Sequence, residues 1–215
     1  MSVLGAILLV VLAYLVGSIP SGVLVARVSG APDPRTVGSG RTGGTNALRA
    51  MGRTRAAVVV AGDLAKGAVP VLVARWASGG EPALEAACAI AAVVGSARSI
   101  FLGFHGGRGV ATGVGTMLVI QPLALAVGGP VFVGVILLTR YVSLGSLLGS
   151  AAMVPAVVVL FLVLNGTIPV AYLVYSVTGV TVVWIAHADN IDRLLHGRER
   201  KFDLGLLSGR GGPGT

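Results

Sequence analysis

Long apolar stretches alternate with short polar connections along most of the chain. Seven apolar segments can be distinguished, at residues 3–25, 56–74, 83–102, 110–120, 123–138, 142–164 and 168–186. A helix needs roughly 20 apolar residues to cross a bilayer, and most of these segments approach or reach that length. The pattern therefore predicts an all-α, polytopic integral membrane protein with about seven transmembrane helices.

The fourth apolar segment, residues 110–120, is shorter than the others. It can cross a bilayer only if its helix begins earlier in the chain, near Gly106. Otherwise residues 110–138 form a re-entrant pair. Both arrangements leave the same orientation for the helices that follow.

Composition agrees with a membrane protein. Of the 215 residues, 54% are hydrophobic and only 11% are charged, whereas a soluble domain carries about 25% charged residues. The single cysteine, Cys88, lies in an apolar segment, which favours a buried, inert thiol. The three histidines lack carboxylate or cysteine neighbours at ligand spacing, so no metal and no other cofactor is expected.

The basic residues indicate a direction across the membrane. The net charge is +8, and of the 16 Lys and Arg residues all except Lys66 and Arg75 fall in connections on one side. The positive-inside rule explains this balance more simply than nucleic acid binding does, and it makes that side cytoplasmic. The N-terminus is then outside and the C-terminus cytoplasmic. Residues 1–207 are predicted to form one membrane-embedded domain, and residues 208–215 a disordered tail.

Residues 37–55, VGSGRTGGTNALRAMGRTR, combine closely spaced glycines with hydroxyl, amide and guanidinium side chains. Glycine lets the backbone turn sharply and direct several N–H groups at one point. Hydroxyls and arginines add donors and positive charge, which suits phosphate binding. The first cytoplasmic connection is therefore predicted to bind a phosphate group.

A second glycine-rich stretch, FHGGRGVATGVG at residues 104–115, lies in the next cytoplasmic connection. Arg108 is surrounded by glycines at a point where a helix is about to start, and helix N-termini attract anions. Alone, such a stretch is more simply a flexible turn with one basic residue. Beside the first stretch, a phosphate contact is favoured.

A third polar segment, HADNIDRLLHGRERK at residues 187–201, follows the last span. His187 and Asn190 are three residues apart, which predicts one shared helical face. His187 could donate to a phosphate or accept a hydroxyl proton, or it could simply cap the last span. His187 and Asp192 also match the H-x4-D spacing of acyl-CoA acyltransferases, but roughly 140° separates them on a helix, so the match is accidental unless the chain bends.

Asp63 and Lys66 stand inside the second span, in GDLAKG. Ionisable residues within a bilayer are expensive and often functional. Their spacing also allows a mutual ion pair on one helix face. Two interpretations are open: a structural pair, or a direct contact of Lys66 with the substrate.

Taken together, GSGRTGGTNALR, GDLAKG, FHGGRGVATGVG and HADNIDRLLHGRE resemble the bacterial acyl-phosphate-dependent glycerol-3-phosphate acyltransferase family. The resemblance covers nearly the whole chain, in order. It implies a seven-helix domain in the bacterial cell membrane with its active site on the cytoplasmic face. It also implies transfer of a fatty acyl group from acyl phosphate to the 1-hydroxyl of glycerol 3-phosphate. The products are lysophosphatidic acid and phosphate, in the first acyl step of phospholipid synthesis.

The motifs and the resemblance together predict two sets of site residues. The catalytic set is Ser39, Arg108, His187 and Asn190. The phosphate-binding set is Gly38, Gly40, Thr45, Asn46, Arg49, Lys66, Gly106 and Gly107. The chain departs from the family's usual motifs at Arg41, His105, Arg108, Ala188 and Asp189.

The expected partners are acyl phosphate, glycerol 3-phosphate and membrane lipids, with the basic residues after His187 contacting lipid head groups. The base is open between His187 and an oxygen of the substrate's own phosphate. The main alternative is a membrane transporter of a phosphate-containing anion, which predicts inverted repeats and a site at the midplane. A phosphotransferase is a further alternative, but the scattered cytoplasmic acids are poorly suited to holding Mg²⁺.

Overall fold

A computed structural model of the chain describes residues 1–208, and these residues form α-helices and two 3₁₀ turns without any β-strand. The turns are Pro34–Thr36 and Ile100–Leu102. The helices are α1 Val3–Gly17, α2 Ser21–Ser29, α3 Gly44–Ser78, α4 Pro82–Ala97, α5 Val110–Ile120, α6 Pro122–Thr139, α7 Val142–Val163, α8 Val170–Ala186, α9 Ala188–Leu195 and α10 Gly205–Ser208. The predicted all-α fold is confirmed.

Between four and six spans meet the length and hydropathy expected of a membrane crossing. Four come from α3, α4, α6 and α7, and two more arise if each bent helix pair counts as one span. The pair α1 and α2 bends by 48°, and the pair α8 and α9 by 63°. The first predicted span, residues 3–25, is therefore broken. Pro20 explains the break, because it lacks an N–H donor and disfavours helix in the residue before it.

Helix α5 remains short. It begins at Val110, after Gly109 in a left-handed conformation with φ 74°, so the earlier start near Gly106 did not occur. Eleven residues rise only about 16 Å, roughly half the hydrocarbon thickness of a bilayer. Only Gln121 separates α5 from α6.

The second half of the first glycine-rich stretch is helical, whereas the sequence predicted a connection. Helix α3 begins at Gly44 and contains a kink at Gly52, whose φ of 79° and ψ of 179° interrupt the helical geometry. Glycine tolerates this positive φ with little strain. The stretch therefore forms a loop followed by a short amphipathic helical segment before the apolar part of α3.

Glycines bring helix backbones into direct contact. A Cβ atom added to Gly67 of α3 would lie 2.1 Å from the carbonyl oxygen of Thr112 in α5. One added to Gly115 of α5 would lie 2.1 Å from the carbonyl oxygen of Leu64 in α3. Small residues permit this close packing in membrane helices. The contact fixes α5, and with it the second glycine-rich stretch at its N-terminus, against α3.

The opposite ends of these helices are joined by a different cluster. Arg75, near the end of α3, pairs with Glu85 in the first turn of α4 at 2.6 Å and donates to the carbonyl of Val119 at the end of α5. The hydroxyl of Tyr172, at the start of α8, donates to Glu85 at 2.8 Å. Four helices are thus connected at this end.

The predicted tail lies mostly beyond the described residues. Ser208, which was assigned to it, is the last residue of the short helix α10. The rest of the predicted disordered tail, residues 209–215, lies outside the part of the chain that the structure describes.

Candidate active site

Arg108 connects the three polar motifs. Its Nη1 donates to Ser39 Oγ at 3.4 Å, and its Nη2 donates to Asp189 Oδ2 at 3.1 Å. Burial lowers the pKa of the Arg108 guanidinium, and the Asp189 carboxylate partly offsets that shift. Ser39 and Asp189, which lie 69 and 81 positions from Arg108 along the chain, therefore meet at its guanidinium.

Asn46 organises the first motif from the start of α3. Its Nδ2 donates to Ser39 Oγ at 3.1 Å and to the Arg41 carbonyl at 2.9 Å, while its Oδ1 accepts from Arg49 Nη1 at 3.1 Å. Gly38 permits this arrangement, since it adopts φ 56° and an added Cβ would lie 2.5 Å from Asn46 Oδ1. Thr45, the second residue of α3, faces the same cavity as Ser39 and Arg49.

His187 lies at the bend between α8 and α9. Its side chain is buried, and its Nδ1 is 2.8 Å from the carbonyl of Val183. A carbonyl only accepts, so Nδ1 carries the proton and Nε2 keeps a lone pair in the neutral ring. Burial, with a smaller contribution from the charge of Arg108, lowers the pKa of His187 to about 4. The imidazole is therefore neutral at physiological pH and can act as an acceptor.

Asn190 is also buried, but it does not share a continuous helix with His187. His187 caps α9, and the Asn190 backbone N–H donates to the His187 carbonyl at 2.8 Å. The expectation of one helical face is therefore corrected to a capped bend. Both side chains nevertheless border the same cavity. Asp192 instead lies at the surface, where it pairs with His196 and Arg198, so its match to H-x4-D is accidental.

Two carboxylates, Asp189 and Glu199, complete the site, and neither is among the predicted site residues. Asp189 accepts from Arg193 at 3.0 Å as well as from Arg108. Glu199 accepts from Asn190 Nδ2 and from Arg193 Nε, each at 2.9 Å. The alternation of acids and arginines in residues 187–201 is the sequence signal for these pairs. Arg193, one of the basic residues predicted to contact lipid head groups, instead pairs with both carboxylates.

Several predicted glycine donors are already occupied. The N–H of Gly40 donates to the Val37 carbonyl at 3.1 Å. Those of Gly106 and Gly107 donate to the carbonyls of Ala97 and Ser96, at 3.2 and 2.9 Å. These N–H groups hold the loops in shape and, in this arrangement, do not point at a common phosphate position. Of the predicted glycines, only Gly107 borders the cavity.

Lys66 has two partners inside the protein. Its Nζ lies 2.8 Å from Asp63 Oδ1 and donates to the carbonyl of Ile19 at 3.0 Å, next to the break between α1 and α2. An ammonium has three donors, and these contacts use two of them. Lys66 also forms part of the cavity wall. The geometry favours the structural interpretation of the Asp63–Lys66 pair.

Three buried polar atoms in this region have no hydrogen-bond partner among the described residues: Arg108 Nε, Asp189 Oδ1 and Asn190 Oδ1. Unpaired buried polar atoms are unusual and often mark a site that a ligand completes. Within residues 1–208, no group of three or more His, Cys, Asp or Glu side chains is placed to hold a metal ion.

The polar site opens into a large apolar cavity of about 1140 Å³. The polar end is bordered by Ser39, Arg41, Arg49, Arg108, His187 and Asn190. From there the cavity continues between α3, α5, α6, α7 and α8, along mainly apolar side chains. One space thus joins a cationic pocket to a volume suited to a hydrocarbon chain.

These features define a helical membrane protein with a cationic pocket at one end of its bundle and an apolar cavity beneath it. The sequence pattern of the family described as glycerol-3-phosphate acyltransferase matches residues 7–197. The chain therefore belongs to the glycerol-3-phosphate acyltransferase family and is an acyltransferase enzyme, as the resemblance predicted.

Individual relatives agree over nearly the full length. The chain is 46% identical over 207 residues to the glycerol-3-phosphate acyltransferase of Rubrobacter xylanophilus, covering 96% of this chain and 98% of that one. It is 43% identical over 202 residues to that of Geobacter sulfurreducens, covering 93% and 98%.

A crystal structure of PlsY (YgiH), an integral membrane glycerol 3-phosphate acyltransferase in its glycerol 3-phosphate form, matches with a TM-score of 0.84 and 35% identity. It covers 96% of this chain and 100% of that one. The lysophosphatidic acid form matches with a TM-score of 0.81 and 34% identity, covering 95% and 99%. The prediction of a multi-pass integral membrane protein is confirmed.

Proposed function

We propose that the protein transfers a fatty acyl group from acyl phosphate to the 1-hydroxyl of glycerol 3-phosphate, in phospholipid synthesis. The observation that carries this proposal is the guanidinium of Arg108, which touches Ser39 and Asp189 at the mouth of an apolar cavity. Family membership supports it, as do relatives whose structures are described as glycerol 3-phosphate and lysophosphatidic acid forms.

The phosphate groups would be held by cations and hydroxyls of the first two motifs. Arg49 and Arg108 provide charge, and Ser39 and Thr45 provide hydroxyl donors beside them. Two phosphate dianions repel each other, so a site that binds both substrates needs concentrated positive charge. Asn46 positions Ser39 and Arg49, and its own amide donors are already used within the protein.

The chemistry requires positioning more than covalent help. Acyl phosphate is a mixed anhydride with a good leaving group. The glycerol hydroxyl oxygen attacks the acyl carbonyl carbon, the bond from that carbon to the phosphate oxygen breaks, and phosphate departs. The hydroxyl proton passes either to Nε2 of neutral His187 or to an oxygen of the substrate's phosphate. Asn190 orients either the hydroxyl, through its unpaired acceptor Oδ1, or the second phosphate, through the Nδ2 hydrogen that Glu199 does not use.

We place the polar site on the cytoplasmic face of the bacterial cell membrane, with seven helical segments, the N-terminus outside and the C-terminus inside. The positive-inside rule supports this orientation, because the arginine-rich connections lie at the end of the bundle that holds the site. Residues 1–207 form one domain in this proposal. Arg198, Arg200 and Lys201 contact anionic lipid head groups.

A comparison of three acyl donors tests the activity. Purified protein receives glycerol 3-phosphate with acyl phosphate, acyl-CoA or acyl carrier protein in separate reactions, and lysophosphatidic acid is measured. We expect product with acyl phosphate. Product formed only from acyl-CoA would overturn the proposed donor, and liposome uptake of glycerol 3-phosphate without product would favour the transporter.

A matched pair of arginine variants tests the site. Arg108→Ala should abolish product, with a loss of at least about 100-fold, because it removes charge and orientation together. Arg27→Ala removes an exposed arginine at the end of α2 and should leave turnover near normal. Equal turnover of the two variants would remove Arg108 from the site.

A further inference from the structure

The apolar cavity has a closed end that the proposed chemistry does not use. Near its mouth it is bordered by Val133 and Leu137 of α6, which are 52% and 61% exposed, so this part is accessible to lipid. At the far end it is bordered by Met117 and Tyr175, which are 4% and 2% exposed. The cavity therefore changes from an open groove to a buried pocket.

The protein core seals this pocket. Met117 and Tyr175 belong to a buried hydrophobic cluster whose other members lie behind them and do not border the cavity: Val71, Ala86, Ala89, Ile120, Ala124 and Val157. Leu125 and Met153 pack against the same cluster and face the cavity. A hydrocarbon chain that reached Met117 and Tyr175 could go further in their direction only by displacing packed core.

A hydrogen bond holds one side of the closed end in place. The hydroxyl of Thr116 donates to the Gly113 carbonyl at 2.7 Å. Its single proton is then used, so the Tyr175 hydroxyl donates to Thr116. The Tyr175 ring is thereby tied to α5 as well as to its own helix, α8. Tyr175 is therefore the fixed part of the closed end.

The depth of the cavity follows from helix geometry. Tyr175 precedes His187 by twelve residues along α8, which corresponds to about 18 Å. An extended chain advances by about 1.2 Å per bond, so about 15 bonds fit between the level of His187 and the closed end. An acyl group whose carbonyl lies beside His187 would therefore reach the wall at about 16 carbons.

We propose that this closed end sets the longest acyl chain that the enzyme transfers efficiently, at about 16 carbons. The wall is formed by Met117, Leu125, Met153 and Tyr175. The inference rests on the proposed function, because it assumes that the acyl chain of the donor enters this cavity. It assigns a selectivity to residues that lie far from the reacting atoms.

Gly129 provides a way to move the wall. It borders the cavity one helical turn closer to the mouth than Leu125, and a Cβ added to it would meet no atom within 4 Å. A large side chain at this position projects into open space without clashing with the protein. It would shorten the cavity by one turn, about 6 Å, which corresponds to about five bonds.

The test measures kcat/KM for saturated acyl phosphates from about 10 to about 20 carbons. Wild type should prefer about 16 carbons and lose efficiency beyond that length. Gly129→Phe should lower the preferred length by about five carbons and reduce transfer of the longest chains at least about tenfold. Met153→Ala removes part of the wall and should shift the preference in the opposite direction.

Gly134→Phe is the matched control. Gly134 lies on the same helix and also has no atom within 4 Å of an added Cβ, but it does not border the cavity. Five residues turn about 500° on a helix, so its side chain leaves α6 on a different side. This variant should keep the wild-type length profile.

The outcomes separate two failures. If wild type makes no product from any acyl phosphate, the proposed function is overturned, and this inference falls with it. If wild type turns over normally and Gly129→Phe and Met153→Ala leave the length profile unchanged, only the inference is overturned. Normal turnover of short chains by Gly129→Phe shows that the variant is folded, so a selective loss of long chains supports the wall.

Discussion

At the scale of single residues, the site depends on side chains that hold other side chains. Asp189 does not border the cavity, yet it accepts from Arg108 and Arg193, two guanidiniums that lie in different motifs. Hydroxyl, amide and guanidinium groups were visible in the sequence as a phosphate-binding pattern. Which of them touch the ligand and which support a neighbour depends on contacts across 81 residues, and no local pattern encodes those.

Asp189→Ala should therefore impair catalysis without removing a group that contacts substrate. The Arg108 guanidinium would lose its anchor, and a displacement of about 1 Å is enough for a fall of about 10- to 100-fold in kcat/KM. Steady-state kinetics with glycerol 3-phosphate measures the effect. Asp192→Ala, on the same short helix with an exposed carboxylate, is the control and should stay within about twofold of wild type. Equal losses in both variants would contradict the positioning role.

The neutral state of His187 leads to a prediction about pH. Its pKa of about 4 means that the folded protein keeps the imidazole uncharged throughout the range in which free histidine, with a pKa near 6.5, would titrate. The lone pair on Nε2 is then available at any pH above about 5. Between about pH 5.5 and 8 the ratio of wild-type to His187→Asn turnover should stay constant, although substrate phosphates titrate in both.

The same pair of proteins separates base from binder. If His187 accepts the proton, His187→Asn should lower kcat with little change in KM. A rise in KM at constant kcat would make His187 a binding residue. The ratio of wild-type to His187→Asn turnover could instead decrease as the pH is lowered through about 6.5. That result would show that the His187 ring titrates normally, which contradicts its buried, neutral state.

At the scale of helices, hydrophobic length predicted α1 and α3 to α8, and local backbone chemistry decided where each of them ends. The apolar pattern ran through Pro20, where the first span breaks, and the glycines before α3 concealed a helix that starts at Gly44. Periodicity reports how apolar a segment is, but a glycine can serve as a turn or as a helix residue. That choice is made by the packing partner, as the contact between Gly115 and Leu64 illustrates.

Gly115→Leu should therefore separate α5 from α3. The new side chain would collide with the Leu64 carbonyl, which is backbone and cannot rotate away. Overpacking of this kind destabilises by about 1–3 kcal/mol, so the thermal midpoint in detergent should fall by several degrees. Turnover should fall as well, because α5 carries Arg108 at its N-terminus. Gly134→Leu, which enters open space on α6, should change neither quantity.

At the scale of the whole molecule, the charge pattern predicted that three distant motifs share one end of the bundle, and the contacts of Arg108 agree. The resemblance predicted the family, which is confirmed over residues 7–197. The number of crossings was less predictable, because α5 is too short to span alone and two helix pairs bend. Hydropathy measures affinity for lipid, whereas a bend or a half-length helix is stabilised by neighbouring helices.

The direction of the bundle in the membrane can be tested with two single cysteines. Glu81 lies exposed at the start of α4, and Arg198 lies exposed after α9, close to the site. The native Cys88 is fully buried, so it should not react with a charged thiol reagent.

In intact cells an impermeant maleimide should label Glu81→Cys and leave Arg198→Cys unlabelled until the cells are opened. The sequence predicts fourteen basic residues on the cytoplasmic side, which would make the reverse insertion unfavourable, since each positive charge resists export. Labelling of Arg198→Cys from outside would put the phosphate pocket on the wrong side of the membrane for substrates made in the cytoplasm, and the proposed reaction would lose its supply.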